Sequence, residues 1–323
     1  MNIAMLSCWH VHAPEYAREI AAFPGAKITA VWDEDPARGR KWADELGCPF
    51  VADYQAILDD PAIDGVAVCT PTNLHGEIMI RAANAGKHIY TEKVLALTNE
   101  EADAIAEAVA RNHVHFTISF PHKTNPKLLY IKQMLTDGKL GPVTYARVRN
   151  VHSGAVKNWL PAHFYDPTQC GGGAMIDLGA HPMYLLEWLL GHPKKVASMF
   201  TNVTGRPVED NAVSVIEFEN GAVGVSETGF VSTCDPYVVE VSGTEGYVHL
   251  IGDTLRYRTE ETNGNWVEVC QVPEKPSSAI FYWLTSIRDN TENTRFTIDD
   301  AVALTRIMVA AYTASREQRT ETV

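Results

Sequence analysis

Asn2-Ile3-Ala4-Met5-Leu6-Ser7-Cys8-Trp9-His10-Val11-His12 is an apolar run that breaks into a polar turn, and its reading decides the fold. Residues 3–6 read as a buried strand and 13–23 as the helix that follows. The same alternation repeats along the next hundred residues. A strand over 27–32 leads into a helix over 36–46, and Gly65-Val66-Ala67-Val68-Cys69 into a helix over about 74–85. Lys87-His88-Ile89-Tyr90 precedes a helix over 99–111, and residues 114–119 close the series. Strands alternating with helices of this length predict a doubly wound parallel sheet, with ligand sites at the carboxyl ends of the strands.

The rhythm changes after about residue 140. Residues 143–151 alternate like a strand with one exposed face. Gly171-Gly172-Gly173 then introduces a helix over 173–190, and strands predicted to be antiparallel follow. Asn220-Gly221 between two alternating runs is a hairpin signal, and Asn263-Gly264 marks another turn. The last segment, 298 to about 316, reads as an amphipathic helix. The expectation is an α/β chain with a nucleotide-type domain over 1–120 and an α+β domain with a large open, mainly antiparallel sheet over 121–323. The C-terminal helix is expected to pack back towards the first domain.

With 323 residues, 46% hydrophobic and 21% charged, the chain has the size and composition of a two-domain globular protein. A net charge of −13 without a basic stripe argues against a nucleic-acid surface. No apolar run approaches the ~18 residues of a membrane span, and residues 1–6 read as a strand rather than a leader. The six cysteines are widely spaced, which suits reduced thiols and a cytoplasmic setting.

Three features carry chemistry. First, Asp177-Leu178-Gly179-Ala180-His181 places a carboxylate and an imidazole four residues apart, on one face of a helix. A carboxylate beside a histidine can hold the ring's tautomer and support its cation while it removes a proton from a hydroxyl. Surface helix pairs have the same spacing. Second, the turn after the first strand lacks the Gly-x-Gly-x-x-Gly of dinucleotide folds. Ser7, His10 and Val11 stand where that loop meets a cofactor, and Trp9 must point away from it. Third, Asp33 ends the second strand, where an acid can hold the ribose hydroxyls of NAD; a helix cap is the plain alternative. Glu34 and Asp35 add charge that would repel the extra phosphate of NADP. Thr70-Pro71-Thr72-Asn73-Leu74-His75 opens a helix after the third strand, so Thr70, Pro71, Asn73 and His75 could line the same crevice.

Taken in order, these stretches resemble the glucose-fructose oxidoreductase, inositol dehydrogenase and rhizopine-catabolism (Gfo/Idh/MocA) oxidoreductase family. The resemblance adds Ala85-Gly86-Lys87-His88-Ile89 leading into Glu92-Lys93, and Gly138-Lys139-Leu140-Gly141-Pro142-Val143, and it spans essentially the whole chain. It implies a Rossmann domain, an open-sheet second domain, NAD(P), and a sugar, inositol or related polyol as substrate, and Asp33 favours NAD over NADP. Carried over by residue, Lys93 matches the lysine of the family's Glu-Lys-Pro motif, beside Glu92, and Asp177 and His181 match its catalytic aspartate and histidine. His181 would then take the hydroxyl proton, Asp177 would orient it, and Lys93 would face the developing oxyanion. Val94 stands where the motif has proline, which leaves the Lys93 backbone less restricted. Pro182 is a possible kink in the helix.

The resemblance also implies a homodimer or homotetramer. His122 and Lys123, after the last strand of the first sheet, and Trp159, His163 and Tyr165, in the loop before Gly171, are candidates for contact with a sugar ring. Packing is the plain alternative for each. His10-Val11-His12 and His113-Val114-His115 invite a metal reading, but no carboxylate stands at recognisable spacing, so no metal is expected. Two other activities stay open: a redox-neutral NAD-using glycosidase or lyase, and a non-catalytic nucleotide or sugar sensor.

Overall fold

The structure, a computed structural model, describes residues 1–323. The first compact unit comprises Met1–Phe120 and Ser277–Thr305, the second Pro121–Pro276 and Arg306–Val323. Residues 277–305 thus belong with the first unit although they follow most of the second in sequence.

In the first unit, β1 (Asn2–Leu6), β2 (Lys27–Trp32), β3 (Gly65–Val68), β4 (His88–Thr91) and β5 (Phe116–Ile118) form a wholly parallel sheet in the order β2-β1-β3-β4-β5. Ile3, Met5, Leu6, Val66 and Val68 are fully buried, as expected for strands covered on both faces. The order reverses between β1 and β3, so the crevice where such sheets take ligands opens there. The helices begin on side-chain caps. Asp35 accepts the Ala37 and Arg38 amides at the start of Pro36–Leu46, and Thr98 accepts the Glu101 amide at Asn99–Asn112.

The strands and longer helices start and stop within about two residues of their predicted places. Helix Tyr54–Asp59, capped by Asp53, is too short to show a period. The return of residues 277–305 has a packing cause. Helix Ala279–Asp289 packs on helix Ala13–Ala22, β4 and β5, with Trp283 fully buried and its ring 5.8 Å from that of Tyr90.

In the second unit, β6 (Val143–Val151), β7 (Pro193–Thr201), β8 (Asn211–Phe218), β9 (Val223–Gly229), β10 (Val238–Gly243), β11 (Gly246–Ile251), β12 (Thr254–Thr259), β13 (Val267–Glu268) and β14 (Glu321–Thr322) form one sheet. Its order is β13-β12-β11-β10-β6-β9-β8-β7-β14, antiparallel except for the parallel pair β6 and β9. The hairpin signal at Asn220-Gly221 joins β8 to β9, with Gly221 at φ 85° and the Asn220 side chain accepting the Ala222 amide. Asn263 and Gly264 both take positive φ in the turn between β12 and β13. One face of the sheet is covered by helix Ala180–Leu190, which lies on β6 and β9.

The helix expected over 173–190 is two. Ala174–Asp177 and Ala180–Leu190 are separated at Leu178-Gly179. Both intervening residues keep right-handed helical angles, so the chain re-starts rather than turns away. Pro182 does not break it: it sits in the first turn of the second helix, where a missing N–H has no partner to lose.

No helix is long and apolar enough to cross a membrane.

Candidate active site

In the first unit, the loop after β1 holds the conformation that a glycine would supply. Ser7 has φ 74°, a left-handed value that non-glycine residues adopt rarely. Its amide donates to the Trp32 carbonyl at 2.6 Å, and the Cys8 amide to Asp33 Oδ2 at 2.9 Å. The Trp9 amide donates to Ser7 Oγ at 3.0 Å and the His10 amide to the Cys69 carbonyl at 3.1 Å. In a glycine-rich loop such amides face the pyrophosphate. Here these are engaged inside the protein. Trp9 is buried, and Val11 is half exposed. Burial and the Asp33 carboxylate push the Cys8 thiol up to about 11, so it remains protonated.

Asp33 lies at the end of β2 as expected, but it does not stand alone. Arg38 grips it with two bonds, Nη2 to Oδ1 at 2.6 Å and Nε to Oδ2 at 2.9 Å, and the same Nη2 reaches Glu34 Oε1 at 2.5 Å. Burial pushes the Glu34 carboxyl up. Asp35, expected to repel a phosphate, instead caps the following helix. The negative charge at this corner is therefore partly neutralised by a residue that sequence reasoning missed. Its only sequence signal is an arginine in the first turn after Asp33.

Across the switch point, Thr70 is buried after β3, and its Oγ1 has no hydrogen-bond partner within the protein. A buried hydroxyl left over at the carboxyl end of a strand calls for an outside partner, and a dinucleotide settling there fits that demand. Pro71 is buried and Asn73 exposed on the same turn. His75 corrects the expectation for it. Its ring is fully buried, with Nδ1 3.0 Å and 3.2 Å from the Val94 and Leu95 carbonyls and Nε2 3.3 Å from that of Thr70. Burial lowers its pKa. His75 therefore latches the Thr70 turn to the segment after Lys93 rather than meeting a cofactor.

Glu92 and Lys93 follow β4, both buried, and the Lys93 amide donates to Glu92 Oε2 at 3.0 Å. Lys93 is held despite the valine after it, and the Lys93–Val94 peptide is cis. Burial alone would raise the Glu92 carboxyl. The imidazoles of His10 and His12, with Lys93, outweigh it and hold that carboxyl well below the usual range.

In the second unit, the triple glycine is a fitting device. Gly171 (φ 80°) ends helix Pro167–Cys170. A Cβ at Gly172 would collide with the Tyr312 hydroxyl, and one at Gly173 with the Glu209 carbonyl. Glu209 Oε1 accepts the Gly173 and Met175 amides at 2.9 Å and 3.0 Å and the Tyr312 hydroxyl at 2.6 Å. The Ile176 amide donates to the Tyr312 oxygen at 3.1 Å. These bonds satisfy the first amides of helix Ala174–Asp177, which ends on Asp177.

His181 lies in the first turn of helix Ala180–Leu190, buried, with Nδ1 3.0 Å from the Tyr184 hydroxyl. That oxygen also accepts the His122 amide at 3.2 Å. The His122 ring meets His181 edge-on at 4.7 Å and stacks on Tyr237 at 5.3 Å. Tyr184 was not anticipated, although a tyrosine three residues after a histidine on a helix is a readable signal. Asp177 acts on His152: burial lowers that imidazole's pKa and the Asp177 charge opposes the shift.

His152 stacks on Phe230 at 4.8 Å and meets the Trp159 ring at 4.6 Å, with Trp159 half exposed. His163 is only partly exposed, its ring 4.9 Å from that of Phe164. Tyr165 departs from the expected sugar-facing wall: it is buried in a cluster with Phe164, Leu160 and Phe230. Lys123 is buried, and its charge lowers Lys132 after burial has done so.

A family profile described as "Oxidoreductase family, NAD-binding Rossmann fold" matches residues 3–120, and a "GFO/IDH/MocA C-terminal domain" profile matches 128–249. The scyllo-inositol 2-dehydrogenase (NAD(+)) of Bacillus subtilis is 32% identical over 250 residues, covering 74% of this chain and 70% of its own. The levoglucosan dehydrogenase of Pseudarthrobacter phenanthrenivorans is 30% identical over 259 residues, covering 70% and 65%. Among solved structures, a levoglucosan dehydrogenase in complex with NADH superposes with a TM-score of 0.88 at 22% identity, over 100% of this chain and 99% of that one.

Proposed function

Since the chain belongs to the Gfo/Idh/MocA oxidoreductase family with its NAD-binding Rossmann domain, we propose that it oxidises a secondary hydroxyl of a sugar, inositol or related polyol, or reduces the matching ketone. The dinucleotide, when bound, supplies the hydride acceptor. Ser7, Asp33 and Thr70 are the residues that would hold it.

The observation that carries the reading is the setting of His181. In the tautomer that donates Nδ1–H to the Tyr184 oxygen, the lone pair lies on Nε2, and that nitrogen would take the proton from the substrate hydroxyl. Tyr184 is itself held by the His122 amide, which fixes the oxygen that the imidazole meets. The family resemblance would give Asp177 the support of the imidazolium and Lys93 the support of the oxyanion that forms as the proton leaves. The exposed Trp159 ring supplies an apolar face of the kind that packs on a sugar ring.

The test is NADH formation, followed by absorbance, over a panel of sugars, inositols and polyols. Turnover with at least one is expected, and His181→Ala and Lys93→Ala should each lose about 10²–10⁴-fold in kcat/KM while the protein stays folded. Wild-type activity in either variant removes that residue from the assignment. Release of an aglycone without net NADH moves the chain to redox-neutral chemistry, and ligand-induced thermal stabilisation with neither product makes it a sensor.

A further inference from the structure

We propose that His10, His12 and Glu92 form a site for one divalent metal ion of the zinc class. The topology brings them together. His10 and His12 lie on the loop leaving β1, Glu92 follows β4, and both strands flank β3 with their carboxyl ends at one edge. One nitrogen from each ring and a carboxylate oxygen all lie within 4.8 Å of one another. Oε1 of Glu92 is 2.8 Å from Nδ1 of His12 and 3.4 Å from Nδ1 of His10. Zinc takes nitrogen and oxygen at about 2.0–2.2 Å, which in a tetrahedron places donors roughly 3.4 Å apart. The 3.4 Å pair stands at that spacing, the 2.8 Å pair is a hydrogen bond that must lengthen to admit the ion, and the two rings each bring a nitrogen within 4.8 Å of the other's.

The surroundings suit a metal as well as the donors do. His10 and Glu92 are buried, whereas the His12 side chain is 37% exposed and offers a way in. Tyr16 donates its hydroxyl to the same Glu92 oxygen and shares a 2.8 Å bond with Ser119 Oγ, an outer layer of the kind that orients a ligand carboxylate. His10 is anchored through its amide to the Cys69 carbonyl. Two histidines and one carboxylate leave a fourth position open on the ion. The sequence hid this site because its carboxylate stands eighty positions from the histidines. The other His-x-His pair gains no such partner: His115 meets Asn290 at 3.2 Å and the His88 ring at 4.9 Å.

The inference goes beyond the dehydrogenase reading, and its test uses the metal alone. The full-length protein, stripped with a chelator, is titrated with zinc by calorimetry and with cobalt by visible absorption, without NAD. One equivalent of zinc per chain and the ligand-field bands of tetrahedral cobalt are expected. Both should weaken by at least about tenfold in His12→Gln and in Glu92→Gln, with circular dichroism confirming the fold. His113→Gln should bind as the wild type does. Absence of zinc binding by the wild type, or equal binding by a folded His12→Gln, overturns the proposal, and either result leaves the redox reading intact. If both variants misfold, the wild-type cobalt spectrum decides alone, since octahedral bands would also overturn it.

Discussion

We propose that cofactor choice turns on Arg38. It holds both oxygens of Asp33 and reaches Glu34, so the corner proposed to meet a ribose carries two acids and one base that compensate in part. With Asp33 present, the guanidinium is committed to it. Asp33→Ala releases a planar donor beside the position of a 2′-phosphate, a group that arginine binds well. A charge-assisted bond is worth about 1.5–3 kcal/mol. The ratio of NADP to NAD affinity should therefore rise by at least about tenfold in that variant, measured by titration calorimetry with each dinucleotide. An unchanged ratio would show that Asp33 does not set the preference. Asp33 itself was legible from its place after an apolar strand. Arg38 was not, because its partnership exists only once the helix starting at Pro36 carries it back over the carboxylate.

At the scale of elements, the decisive piece is the tight passage from Gly171 into the helices that bear Asp177 and His181. Gly172 lies against the Tyr312 hydroxyl, and that hydroxyl is pinned by Glu209 and the Ile176 amide. Gly172→Ala forces a methyl into this seat. Overpacking costs about 1–3 kcal/mol, so the melting temperature should fall by a few degrees and turnover should fall with it as Asp177 shifts. A variant that melts and turns over like the wild type would show that the passage has slack.

The sequence displayed the three glycines and the Asp-His spacing plainly. It did not display the reason for them, since Glu209 and Tyr312 lie 36 and 136 positions from the amides they hold. It also read one helix where there are two, because the apolar pattern runs on through Leu178-Gly179 while the hydrogen-bond ladder re-starts there. The strands and helices of the first sheet were legible for the opposite reason: their signals are local, an apolar run ended by a cap or a turn.

At the scale of the whole molecule, the nine-stranded sheet leaves apolar side chains in water. Met199 on β7 is 73% exposed and pairs in register with Val213 on β8, itself 40% exposed, with Val215 at 46% and Val223 at 37% nearby. Apolar surface grouped in this way on one face of a sheet suits burial against a second copy. Light scattering at micromolar concentration should give a mass about two or four times 35.6 kDa, and Val213→Glu with Val215→Glu should lower it. A wild-type monomer would dismiss the assembly.

The return of Ser277–Thr305 to the first unit has a consequence for how the protein is made. The five strands of the parallel sheet have all been synthesised by residue 118, yet Trp283, which packs beside Tyr90, follows only when roughly the last seventh of the chain is translated. The first unit therefore completes its packing only near the end of synthesis, and a fragment cut at residue 120 would leave the surface that Trp283 buries beside Tyr90 exposed to water.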